Sequence, residues 1–149
     1  MPAFVFASLV SVGLMLVSVM IFYEILAHWW GFLPRLKSHR RTQILLTLLV
    51  VFLCHTLVIW LFGACYYLLA QQDFGDLQGN IQHGLLDYVY FSGESYSSLG
   101  LGDVYPTGGL RMLIAVEALL GLILIGWTVA YTYVFTERYL LQHYDPEKH

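Results

Sequence analysis

Charge is scarce in this chain. Only 11% of its 149 residues are Asp, Glu, Lys or Arg, 58% are hydrophobic, and mean hydropathy is +0.67. Soluble globular domains carry about a quarter charged residues, so composition excludes that class. The net charge of −3 leaves no basic face on which nucleic acid could dock. Cysteine is equally sparse. Cys54 and Cys65 both fall in an apolar run, where small thiols pack as hydrophobes and imply no disulfide framework. No Lys or Arg precedes the first apolar run and no small-residue cleavage site follows it, so it is expected to stay as a helix of the mature chain rather than leave as a signal peptide. No segment places arginine at every third position, which excludes a voltage sensor of the usual kind. The residues after 138 are expected to form a tail too short for a folded ligand-binding domain, and no internal repeat or low-complexity segment occurs.

What remains is long apolar runs. Residues 4–28, 43–70 and 109–138 are each long enough to span a bilayer whose hydrocarbon core is about 30 Å thick. Arg35, Lys37, Arg40 and Arg41 lie in the short linker between the first two spans. The segment 71–110 has no Lys or Arg and carries Asp73, Asp76, Asp87, Glu94 and Asp103. By the positive-inside rule the linker is cytoplasmic, the N-terminus and segment 71–108 are outside, and the C-terminal tail is inside. Trp29 and Trp30 at one end, and Tyr66 and Tyr67 at the other, sit where interfacial aromatic belts belong.

The segment between the second and third spans is not a plain loop. After the polar "QQDFGDLQGNIQHG" comes "LLDYVYFSGESYSS", an amphipathic stretch too short to cross but long enough to enter the membrane and stop. "SLGLGD" then follows with Pro106 just beyond. Non-helical backbone at membrane depth is tolerated where protein buries it or where it lines a watery cavity. To replace an ion's hydration shell, successive carbonyls must face one axis, whereas a strand alternates them. Gly100 and Gly102 accept positive φ, so alternating left- and right-handed residues can turn each carbonyl the same way.

"SLGLGDVYP", after a short aromatic helix and before a glycine-containing span, resembles the pore loop of tetrameric potassium channels, usually written TVGYGD with a proline soon after. The resemblance covers about residues 43–138. Ser98 stands at the threonine position, Leu99 at the valine, Gly100 and Gly102 at the glycines, Leu101 at the tyrosine and Asp103 at the aspartate. The GLG form is similar to the second filter of animal two-pore-domain potassium channels, and "VEALLGLIL" resembles the inner helix of bacterial two-span channels, with Gly121 at the hinge position. The resemblance implies an all-α membrane protein with three transmembrane helices and a re-entrant pore helix, assembled as a homotetramer. It organises the chain as an extra N-terminal helix (1–30), a basic linker (31–42), a pore domain (43–138) and a short tail (139–149). It implies potassium ligated by the backbone oxygens of Ser98, Leu99, Gly100 and Leu101, with Gly102 completing the filter, no other cofactor, and residence in a bacterial plasma membrane.

Support for that filter is expected from Tyr90, Phe91, Glu94 and Asp103. Glu94 and Asp103 should approach and share a proton, because two close carboxylates resist joint ionisation, with Tyr90 able to donate to the aspartate. Leu101 and Phe91 both lack the polar handle found at these positions in GYG relatives, so apolar packing and weaker potassium discrimination are expected. Thr128, Thr132 and Thr136 recur every four residues, and with Gly121 and Leu124 they make a stripe that would line the inner cavity or bond to a neighbouring helix. His55 and Glu117 lie deep, where an ionisable group is a functional candidate or an interhelical bond. Glu24 and His28 share a face near an interface, and Arg111 is expected to snorkel or pair. A weakly selective monovalent cation channel is one alternative. Another class, a haem-binding redox subunit using His28, His55 and His83, suffers from their unequal depths.

Overall fold

The computed structural model describes residues 2–36 and 39–141; Lys37 and the tail from 142 on lie outside the described residues. Three helices dominate: α1 (Pro2–Phe32), α2 (Arg40–Ala70) and α4 (Leu110–Leu141). Each is long and apolar enough to cross a membrane. A 31-residue helix measures about 46 Å, so each span exceeds the hydrocarbon core and ends in the interfacial zones. That surplus explains why the observed helices run past the apolar runs by a few residues. α1 ends where Pro34 removes a backbone donor, and a 3-10 turn at Leu33–Arg35 follows.

The fourth helix, α3 (Leu85–Tyr96), has 12 residues and is amphipathic. It buries Tyr88, Phe91, Ser92 and Tyr96, the i, i+3, i+4, i+8 pattern of one helix face. Its start is held by Asp87, whose Oδ2 accepts the N–H groups of Gln82 and Gly84, both at 3.0 Å, which also places an acid at the positive end of the helix. Two short strands, absent from the sequence expectation, frame α3. β1 (Leu77–Gly79) pairs antiparallel with β2 (Val104–Pro106), with Leu77 opposite Pro106 and Gly79 opposite Val104. The chain therefore leaves and re-enters at one level, which makes 80–103 a re-entrant excursion.

α1 seats against α4 and α2 rather than standing apart. Trp127 stacks against Tyr23 and tilts on Phe22, with ring centroids 6.4 and 5.9 Å apart, and Trp30 meets Tyr131 and Phe135 edge-on. Trp29 Nε1 donates to Thr47 Oγ1 at 2.9 Å, tying α1 to α2.

Candidate functional site

Two glycines let the short helix sink between the long ones. A Cβ on Gly63 of α2 would stand 2.7 Å from the Val89 Cα, and one on Gly121 of α4 would overlap the Tyr96 carbonyl. Gly121, the expected hinge, is also where α3 approaches α4 too closely for a Cβ.

Around those notches run two polar rungs. Tyr66 of α2 and Ser92 of α3 both bond the carboxyl of Glu117, which is fully buried on α4. Eleven residues away on each long helix, His55 of α2 lies 2.7 Å from Tyr96 Oη and 3.1 Å from Thr128 Oγ1. Thr128 donates its own proton to Ile125 O, so His55 Nε2 carries the hydrogen and Nδ1 accepts from Tyr96. Eleven residues are close to three helical turns, which puts both members on one face of each antiparallel helix. Glu117 and His55 thus both bond across helices. These bonds also leave no ring nitrogen of His55 open for haem. His28 and His83 are engaged with Glu24 and Asp76 respectively.

At its C-terminus α3 closes in a Schellman turn. Leu99 N–H reaches Glu94 O at 2.9 Å and Ser98 N–H reaches Ser95 O at 3.1 Å, with Ser98 left-handed at φ +56°. Glycine usually fills that place, so a serine there carried no signal in the sequence. Gly100 and Gly102 follow at φ +52° and +80°, while Leu99 and Leu101 between them stay at negative φ. Hand therefore alternates from Ser98 to Gly102. All residues from 97 to 103 are exposed in the single chain, with Leu99 and Leu101 at 63% and 62%.

Behind the loop, Tyr90 Oη lies 3.0 Å from Glu94 Oε1 and 3.4 Å from Asp103 Oδ2. The one tyrosine hydroxyl thus reaches both carboxyls, and the donation to Asp103 expected from the sequence is the longer of its two contacts. Glu94 is buried and Asp103 is exposed. Phe91 is buried edge-on against Tyr66, with centroids 5.8 Å apart, while Leu101 is exposed.

The stripe on α4 divides by burial. Leu124 and Thr128 are 1% and 4% exposed and face their own chain, while Thr132, half-buried, bonds Thr128 O. Thr128 thus bonds across helices to His55, while the bond of Thr132 stays within α4. The free face of α4 runs through Leu119, Leu122, Gly126 and Val129.

The outer segment is pinned at Asp76. Its Oδ1 accepts Tyr88 Oη at 2.6 Å and Leu77 N–H at 2.8 Å, and its Oδ2 lies 3.2 Å from His83. Partial burial pushes this carboxyl up, but these partners together hold it below the usual carboxylate range.

The family model described as ion channel matches residues 45–138. The uncharacterized membrane protein YdjJ of Bacillus subtilis (strain 168) is 39% identical over 85 residues, which make up 53% of this chain and 25% of that protein. The chain thus spans well under half the length of that relative. No solved structure matches it.

Proposed function

Because this chain belongs to the ion channel family, we propose that it is a passive potassium channel whose filter is four copies of the Ser98–Gly102 backbone around one axis. The observation that supports this reading most is the alternation of hand at Ser98, Gly100 and Gly102 in an exposed loop directly beyond α3. Such alternation turns successive carbonyls to one side, where they can replace the water around a cation. The oxygens of Ser98, Leu99, Gly100 and Leu101 form the rings, and Gly102 lies at the outer mouth. One loop supplies a quarter of each ring, so closure takes a homotetramer. The negative end of the α3 dipole adds a favourable potential for a cation at the inner mouth.

By the positive-inside rule, Arg35, Arg40 and Arg41 favour a cytoplasmic end there and a filter mouth outside, and the bacterial membrane-protein relative favours a bacterial plasma membrane. The inner cavity of this reading is lined by the exposed Leu122, Gly126 and Val129 face of α4, since Leu124 and Thr128 are buried within the chain. A weakly selective cation channel is the second reading, favoured by one observation: neither Leu101 nor Phe91 offers a hydrogen bond to hold the filter from behind.

Reconstitution in liposomes under a potassium or sodium gradient tests both. Flux of potassium well above sodium is expected. Equal flux of the two ions supports the second reading, and no flux of either refutes the channel. Leu101→Tyr should change the permeability ratio if the missing hydroxyl is the cause of soft discrimination.

A further inference from the structure

The buried rung at Glu117 holds more contacts than its hydroxyls have protons. Three oxygen pairs lie within bonding distance: Tyr66 with Glu117, Ser92 with Glu117, and Ser92 with Ile59 O at 2.8 Å. Tyr66 and Ser92 bring two protons between them. A backbone carbonyl only accepts, so the Ser92 proton goes to Ile59, and the Ser92–Glu117 contact needs a third. The ionisable groups facing this carboxyl are Tyr66 and Cys65 on α2 and Tyr96 on α3, acids all, and no cation among the described residues faces it. A carboxylate enclosed this way would be a buried charge without a counter-ion.

We propose that Glu117 is a neutral carboxylic acid that acts as a positioning residue: it accepts from Tyr66 through Oε2 and donates to Ser92 through Oε1, fixing the depth of α3 and so of the loop that α3 ends in. The positioning role rests on the potassium-channel reading; the protonation state does not. One acid group thereby joins the outer helix, the short helix and the inner helix at a single point. The donor must be on the Ser92 side, which is a polarity that glutamine reproduces: its amide N–H donates to Ser92 while its oxygen accepts from Tyr66. Methionine matches the length and does neither.

The test uses the full chain in liposomes. Infrared spectra at neutral pH should show a carboxylic-acid carbonyl band in the wild type that Glu117→Gln lacks. Potassium flux and the potassium-to-sodium permeability ratio should be preserved in Glu117→Gln. In Glu117→Met, which loses the interhelical bonds, the ratio should fall about tenfold. Absence of the acid band, or a carboxylate band lost in Glu117→Gln, overturns the proton assignment even if Glu117→Met does not assemble. A Glu117→Gln protein as defective as Glu117→Met, or a Glu117→Met protein with wild-type selectivity, overturns the positioning role. A wild type that shows the acid band but passes no ions refutes the channel reading and leaves the acid standing.

Discussion

Two glycines with unlike surroundings predict unlike defects. A Cβ at Gly100 would meet nothing within 4 Å, so the obstacle there is the positive φ of +52°, which costs an L-residue about 1–2 kcal/mol. Gly100→Ala should therefore fold and assemble yet lose potassium flux in liposomes, since relief of that strain reverses a carbonyl. Gly121 is limited by space. Its neighbour is the Tyr96 carbonyl, backbone that cannot rotate aside. Gly121→Ala should lower the thermal midpoint in detergent, in keeping with about 1–3 kcal/mol for overpacking. If instead Gly121→Ala melts like the wild type, the close seating of α3 on α4 is wrong.

At the scale of elements, the short helix is positioned from both ends. The β1–β2 pair closes its excursion at one level, and the Asp76 cluster ties that pair to Tyr88 on α3. Because the Asp76 carboxyl lies below its usual range, its contribution to stability is complete above about pH 4 and is lost as pH falls through the lower folded value. The expected result is a thermal midpoint that stays flat from pH 7 to about 5 on this group's account and declines below about 4. Asp76→Asn should start lower at neutral pH and show a shallower acid decline. Parallel acid profiles for the two proteins would contradict the role given to this cluster. The long helices obey a different balance. In lipid the packing of α1 on α4 gains nothing from water exclusion and depends on contacts such as Trp127 with Phe22 and Tyr23.

For the whole molecule, the single chain leaves its most unusual backbone uncovered. Residues 97–103 are all exposed, and the α4 face with Leu119, Leu122 and Val129 is exposed as well. The fourfold assembly proposed above would cover both, with the loops at the axis and the inner helices below. Native mass spectrometry in mild detergent should find tetramers. A monomer or dimer as the sole stable species would remove the pore, whatever the loop geometry.

Much of this protein is legible without coordinates. Three runs of apolar residues longer than a bilayer needs can only be helices there, because lipid leaves a backbone no other partner. A 12-residue amphipathic stretch cannot cross, and Gly100 and Gly102 mark where the backbone takes the left hand. These features are local, so composition, length and the absence of a Cβ determine them. What sequence could not decide is which face turns inward. Helical periodicity states that Leu124, Thr128 and Thr132 share a face, but rotation of α4 about its axis is set by what it packs on. Gly121 against Tyr96 and Trp127 against α1 turn that face into the protein. Glu117 and His55 likewise read only as costly polar groups in an apolar run. Their partners lie tens of residues away on other helices, and only the packing of α2, α3 and α4 brings donor to acceptor.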